Sequence, residues 1–560
     1  MSTTERRRGA EVLVDLLRAH GVDRVFAVPG ESYLAVLDAL YDAHDIEMIV
    51  GRQEGGTAMM AEAHGKLTGR PGVCFVTRAP GATSASAGVH IAFQDSTPMI
   101  LFIGQVARGT TEREAFQEID YRRMYGPLAK WVAEIDDAAR IPELVGRAFY
   151  TATAGRPGPV VLALPEDMLS DRVATGAAAP YRAVQAHPGP EDMTRLQTML
   201  NRAERPFMIL GGGGWNAGAC ADIAAFAESQ SLPVGASFRC QDYFDNTHPN
   251  YAGHFGLAAD AKLSRRIREC DLLLVAGARL GEITTAGYTL IEPPRPAQPL
   301  VHVHPGAEEL GRVYQPELAI NAGMAAFAAA ARRLAPEVSA ERQAWVDAAH
   351  ADYLEQTVPV DNPGELQLSR IVAWLRERLP PEAIITNGAG NYTVWVHRFY
   401  QFRRYRSQLA PTSGSMGYGL PAAIAAKAAH PDRPVVCFAG DGCFLMHGQE
   451  LATAVKYGLG IVIVVVNNAM YGTIRMHQEK EYPARVSGTD LVNPDFAAYA
   501  KAFGAQGEVV ERTEDFAPAF ERAVAAGKPA LLELRVDPEA LTPRASLSEI
   551  RAAALAAGKA

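Results

Sequence analysis

The sequence predicts an α/β protein of three doubly wound parallel-sheet domains. Two observations carry this expectation. Short apolar and β-branched runs alternate with helical patterns along the chain, as they do where parallel strands are joined by crossover helices. The alternation falls into three blocks set apart by Pro- and Gly-containing or polar stretches, and 560 residues are too many for a single core.

In the first block, from Ala10 to about Leu164, the candidate strands are Arg24–Ala27, Glu47–Val50, Val73–Thr77, Met99–Ile103 and Val160–Leu164. The stretch from Ala177 to Pro190 reads as a linker. The second block offers Phe207–Leu210, Leu232–Gly235, Leu272–Ala276 and Leu300–Val303, then an Ala-rich helix ending near Ala335. A polar region up to Pro363 makes the next boundary, and the third block runs from about Glu365 to Val536. The expected domains are residues 1–180, 190–345 and 360–545, with a tail at 546–560.

A net charge of −9 argues against nucleic acid as a main partner. Arg6-Arg7-Arg8 precedes an amphipathic helix and not an apolar signal core, and no window approaches a membrane span. The six cysteines (74, 220, 240, 270, 437, 443) show no CxxC or zinc spacing. They read as reduced core thiols, so a cytoplasmic protein is expected.

The third block carries the most informative segment. A strand run, Val435 to Ala439, reaches Gly440-Asp441-Gly442; a helical stretch follows from about Leu445 to Tyr457; the run Ile461 to Val466 ends on Asn467-Asn468. Such a strand–helix–strand unit joins parallel strands. Asp441 and Asn468 then stand at carboxyl ends of parallel strands, where open α/β sheets place their ligands. A carboxylate and an amide oxygen are hard donors suited to Mg²⁺. Gly442 lets backbone N–H groups approach a diphosphate. A lone GDG is an ordinary strand end; the double Asn after a strand supplies the missing context. In the first block Glu54 follows a strand and opens a helix whose Gly55, Gly56 and Ala58 permit close approach of another chain. By itself an acid there complements the helix dipole.

The segment VVCFAGDGCFLMHGQELATAVKYGLGIVIVVVNN resembles the diphosphate-binding motif of thiamine diphosphate (ThDP) enzymes. The resemblance covers nearly the whole chain and is nearest to the large subunit of acetolactate synthase and its relatives. It implies that the three blocks are pyrimidine-binding, central and diphosphate-binding domains. It also implies that Asp441, Asn468 and the carbonyl of Met470 hold Mg²⁺. Cofactor contacts are implied at Pro29, at Gly390, Asn391 and Tyr392, and at Gly440, Gly442, Cys443, Tyr471 and Gly472. Met416 would prop the cofactor into its bent conformation, although a Met is otherwise more often core filling. Glu54 would hydrogen-bond N1′ of the aminopyrimidine and so promote loss of the C2 proton. Because that Glu and the Mg-diphosphate site come from different subunits in the family, the resemblance implies at least a homodimer, and a homotetramer is expected.

The family's FQE element is present as Phe116-Gln117-Glu118, with Gln117 implied at the catalytic centre, and Lys130 stands where the synthases carry a lysine. Four departures matter. The synthases' small pair after the strand-end Pro becomes Gly30-Glu31; Glu31 either handles protons on the reacting species or serves as a solvated helix cap. SGPG becomes Arg78-Ala79-Pro80-Gly81; Arg78 either holds an anionic substrate group or makes a structural ion pair, with Glu31 as a partner. GARFDDR becomes Gly277-Ala278-Arg279-Leu280-Gly281-Glu282-Ile283, and the QW pair becomes Met476-His477. All four lie on the acceptor side. In the central block, Gly211 to Gly214 follow a strand as a nucleotide-binding turn would, so FAD or an ADP-type nucleotide is open. The pattern is incomplete, however, and His302 and His304 replace the acids that would meet ribose hydroxyls.

The expected activity is a ThDP- and Mg²⁺-dependent cleavage or formation of a C–C bond beside a carbonyl, with a small-molecule 2-oxo acid as donor. The alternatives are an acyl-CoA lyase or decarboxylase of the oxalyl-CoA or 2-hydroxyacyl-CoA type and, from another class, a non-catalytic ThDP-binding protein.

Overall fold

The computed structural model describes residues 6–176, 179–257 and 259–559. Ala177 and Ala178, which open the expected linker, lie outside them. Two compact units form, Met1–Val184 and Gln185–Ala560.

The first unit holds a six-stranded sheet in the spatial order Glu47–Val50, Arg24–Ala27, Gly72–Val76, Met99–Gln105, Pro159–Pro165, Trp131–Glu134. All its pairings are parallel. The strands are apolar on both faces because helices cover both. The order reverses between Arg24–Ala27 and Gly72–Val76, the switch point at which doubly wound sheets open a crevice. Pro29, Glu31 and Arg78 follow those two strands and therefore stand at that crevice.

The second unit holds two further six-stranded parallel sheets. One runs Tyr251–His254, Val234–Ala236, Pro206–Leu210, Leu272–Ala276, Leu300–His304, Leu318–Asn321. The other runs Gln408–Leu409, Ile384–Asn387, Val435–Gly440, Val462–Asn467, Ala530–Arg535, Gln506–Val510 and repeats the topology of the first unit. Its switch point lies between Ile384–Asn387 and Val435–Gly440, which deliver Gly390-Asn391 and Asp441 to one crevice. Asp242 ties the two sheets together by accepting the backbone N–H groups of Ser407 (3.0 Å) and Gln408 (3.2 Å) on the edge strand.

One expectation changes, and two segments carry helices that the sequence did not show. The single helix expected from about Leu445 to Tyr457 is broken into Asp441–Leu445, a 3-10 turn Gly448–Glu450 and Leu451–Lys456. His447 leaves helical geometry (φ −138°), and Gly448 lies so close to Phe444 that a Cβ would meet its ring at 3.0 Å. The polar boundary before Pro363 contains a helix, Ala340–Gln356, that packs on the edge strand Tyr251–His254. Its buried face hides in a polar composition because it includes Arg342, which donates to the carbonyls of Leu200 (3.1 Å) and Gln230. The tail, finally, forms a helix, Leu547–Ala556, closed by a capping box at Ser546 and Glu549, and it docks on Gly472–Glu481. All six cysteines remain thiols, and no described helix is long and apolar enough to cross a membrane.

Candidate active site

The diphosphate-binding end is built at the switch point of the last sheet. Asp441 is 3% exposed, and its Oδ2 accepts the side-chain amide of Asn493 at 2.8 Å; the same amide donates to Asn467 Oδ1 at 2.9 Å. Burial pushes the Asp441 carboxyl above its ordinary range, while Asn493 and the backbone N–H groups of Gly442 and Ala469 draw it back. A carboxylate so short of positive charge is what a divalent cation would satisfy. Asn468 Oδ1 takes the N–H of Met470 at 3.3 Å, and Ala469 between them adopts a positive φ of 55°, which turns the chain sharply. The Met470 carbonyl accepts Gly472 N at 2.9 Å and keeps a second lone pair. One carboxylate, one amide oxygen and one carbonyl fit Mg²⁺, which takes its other ligands from phosphates and water.

Asp441, Asn468, Met470 and Gly472 line one cavity of about 920 Å³, together with Gly390, Asn391 and Met416. Its size is that of a small-molecule site. Half-buried Met416 packs on the core with part of its surface turned to the cavity, as a prop for a cofactor would. Gly442 has a reason the sequence does not show: a Cβ there would lie 2.6 Å from the Tyr471 ring. Tyr392 is turned inward. Its hydroxyl accepts Gly388 N at 3.0 Å and meets Cys443 Sγ at 3.4 Å, and Cys443 Sγ also accepts Gly417 N at 3.2 Å. Tyr392 and Cys443 therefore brace the glycine turns, and their hydroxyl and thiol are occupied within the protein. Asn391 is held by Thr473 (2.8 Å) and by Met476 Sδ (3.5 Å), so a position that departs from the synthase pattern touches Asn391 directly.

In the first unit, Gln53 caps the helix Glu54–Thr68 by accepting Gly56 N at 3.0 Å, which makes Glu54 its half-buried first residue. A Cβ on Gly81 would sit 3.2 Å from Glu54 Oε1, so the glycine keeps that carboxylate uncrowded. The small residues behind Glu54 have a role inside the chain. A Cβ on Gly88 would lie 2.5 Å from Ala58 Cβ, so Ala58 admits the helix Ala79–Asp95.

Arg78 sits at the start of the helix Ala79–Asp95 and is 7% exposed. It pairs with Glu31 at 3.3 Å and with Glu166, beyond the end of the strand Pro159–Pro165, at 2.5 Å. Arg78 thus makes the ion pair with Glu31 and has a second acid, Glu166, that no motif announced. The Glu31 side chain remains 65% exposed. Gln117 adopts φ 64° and accepts the N–H of Ala79 through its carbonyl at 3.2 Å, beside Arg78 in sequence. Its loop is pinned by Glu118, which takes the amides of Glu112 (2.7 Å) and Ala115 (2.9 Å) and is held below the usual carboxylate range by them. Lys130 donates to the carbonyls of Thr151 and Ala154 at the end of the helix Ile141–Thr153, a structural use.

The central glycine turn is likewise used internally. A Cβ on Gly212 would strike the Gly277 carbonyl at 1.9 Å, and Trp215 Nε1 donates to Gly211 O at 2.8 Å. His302 Nε2 bonds Ala278 O at 2.9 Å, and His304 Nδ1 takes Gly306 N at 3.0 Å.

One element of the site was not visible in the sequence. Glu479, on the helix Gly472–Glu481 that follows the double Asn, accepts Arg551 of the C-terminal helix (2.8 and 2.6 Å), Arg475 (3.0 Å) and Ala484 N (2.8 Å). Arg551 chiefly, with the Ala484 amide and Arg475, holds its carboxyl down at about 2 against the opposing effect of burial. A depressed pKa contributes stability above the ordinary value of 4.5, lost as pH falls from there toward 2. Glu479→Gln is accordingly expected to speed amide exchange across Leu547–Ala556 at neutral pH. In the wild type that protection should persist at neutral pH and fail only in the acid window. Equal exchange in both proteins at neutral pH would remove the latch role.

Comparison with known proteins agrees with this arrangement. Residues 7–124 match the description "Thiamine pyrophosphate enzyme, N-terminal TPP binding domain", residues 193–331 its central domain and residues 388–534 its C-terminal TPP binding domain. The chain is 32% identical to an acetolactate synthase large subunit of Parasynechococcus marenigrum (strain WH8102) over 544 residues, covering 94% of this chain and 87% of that one. It is 32% identical to the isozyme 1 large subunit of acetolactate synthase of Escherichia coli (strain K12) over 545 residues, covering 96% and 95%. The isozyme 2 large subunit of the same strain is 30% identical, covering 94% and 95%. Three parallel-sheet domains that match the three domains of thiamine pyrophosphate enzymes define the class as ThDP-binding. The chain belongs to the thiamine pyrophosphate enzymes, in the acetolactate synthase-like family.

Proposed function

We propose that this enzyme is a Mg²⁺- and ThDP-dependent 2-oxo acid decarboxylase or carboligase with a specificity different from that of acetolactate synthase. The observation that carries this reading is the crevice in which buried Asp441, Asn468 and the Met470 carbonyl share a cavity with Gly390, Asn391 and Met416. When bound, ThDP supplies a carbon nucleophile at C2 and an electron sink for the charge left by loss of CO₂. The protein's part is to bind, orient and move protons. Asp441, Asn468 and the Met470 carbonyl would hold the metal, Met416 would support the bound cofactor, and Glu54 would hold the proton at N1′. The half-sites come from different subunits in enzymes of this kind, so the working form is at least a homodimer.

Glu31, Arg78 and Glu166 give the crevice of the first unit two carboxylates and one guanidinium. In this reading Arg78 is a positioning residue that orients Glu31, and Glu31 relays protons to substrate. Arg78→Ala is expected to slow carboxylate-bearing and neutral donors alike, because the guanidinium is already committed to two acids. A loss about tenfold larger for carboxylate donors, corresponding to roughly 1.4 kcal/mol, would instead give Arg78 a direct grip on substrate. The overall reading is tested by incubating the protein with ThDP, Mg²⁺ and a panel of 2-oxo acids and acyl-CoA esters while following CO₂ and aldehyde. Turnover of 2-oxo acids supports it; turnover of the esters alone would favour the acyl-CoA reading.

A further inference from the structure

The cavity continues beyond the metal end. The helix Tyr392–Phe399 lines it with Val394, Trp395 and Arg398, after Asn391 at its start. At 1.5 Å per residue, Arg398 lies about 10 Å along the helix from Asn391. A second guanidinium lines the same cavity there, Arg544, on the segment that leads into the C-terminal helix. Arg398 spends Nε on the Gln356 carbonyl at 2.9 Å, and its outer nitrogens make no hydrogen bond among the described residues. Arg544 donates to the Ala259 carbonyl at 3.0 Å.

The nearby carboxylate is Asp260, whose Oδ2 caps the following helix by accepting Leu263 N at 3.2 Å. Burial lowers the Arg398 pKa, and the charge of Arg544 lowers it further, with Asp260 opposing. Two like charges thus line one cavity, with Asp260 beside Arg398 and Glu549 also on the lining. Leu257, Leu263, Tyr353 and Trp395 make the adjoining wall apolar. Guanidinium forks facing an apolar wall suit an oxyanion carried on an apolar body.

We propose that Arg398 and Arg544 form an oxyanion subsite, remote from the Asp441 end, that takes a phosphate or carboxylate attached to an apolar group. The inference deepens the proposed function, on which it rests for the filling of the other end, by giving the enzyme a ligand longer than a simple 2-oxo acid.

The test uses the full chain saturated with ThDP and Mg²⁺, so that the diphosphate end is filled. Phenyl phosphate, benzoate and inorganic phosphate are titrated by calorimetry into the wild type, Arg398→Met, Arg398→Lys and Arg544→Met. At least one probe is expected to bind the wild type, with a Kd at least about tenfold weaker in each Met variant and partly restored by Lys. The probe that binds identifies the source of the oxyanion. ThDP affinity is expected to be the same in all four proteins, which separates failure here from failure of the ThDP reading. Absence of binding by all three probes, or binding indifferent to both Met substitutions, would overturn the proposal.

Discussion

Asp441→Ala is expected to abolish ThDP binding in calorimetry at concentrations that saturate the wild type with Mg²⁺ present. The groups gathered at Asp441 are amides and backbone, namely Asn467, Asn468, Asn493 and the Met470 carbonyl, so at that end of the cavity the cation supplies the neutralising charge for the diphosphate. Asp441 is the one carboxylate of the proposed ligand set, and it is buried. Its removal leaves Asn468 and a carbonyl, two neutral donors, to hold a divalent ion. Omitting the metal from the wild type should have the same consequence. The substitution also frees the Asn493 amide, which still reaches Asn467 at 2.9 Å, so the fold is expected to survive and far-UV circular dichroism to stay unchanged. Unchanged ThDP affinity in the variant would show that the metal is held elsewhere.

Glu54→Gln should behave differently: ThDP still binds, and turnover falls by roughly 10²-fold or more, the range for losing a proton-transfer partner. The amide fills the space left open by Gly81, but it cannot share a proton with N1′ as a carboxylate does. Removing an interaction that serves the reacting state lowers kcat more than binding. The measurement is kcat beside a ThDP titration of the same preparation. A variant that loses cofactor affinity and keeps its kcat would assign Glu54 a binding role only.

Much of this was legible in the sequence because the relevant elements are short and regular. Buried parallel strands must be apolar on both faces, so runs such as Leu272–Ala276 stand out, and the residues that end them fall at the crevice by topology. What stayed hidden depends on contacts between distant segments. Asn493 has no motif of its own and meets Asp441 only through folding. Glu166 follows a strand like any acid, and its pairing with Arg78 spans 88 residues. The strands Tyr251–His254 and Leu318–Asn321 were not among the candidates, because one is a glycine-containing edge strand and the other alternates buried with exposed residues. Gly442 and Gly212 read as ligand turns, yet their missing side chains are also required by Tyr471 and by the Gly277 carbonyl. A glycine pattern alone does not tell close approach of a ligand from close approach of the chain to itself.

The central claim is that this protein activates ThDP through Glu54 at a metal site anchored by Asp441. Its most direct test is the rate at which the C2 proton of bound ThDP exchanges with D₂O near neutral pH, read by quench and NMR. The account predicts exchange much faster than in free ThDP for the wild type with Mg²⁺, and near the free rate for Glu54→Gln with cofactor bound. Exchange in the wild type no faster than in free ThDP, or undiminished in the variant, would contradict it.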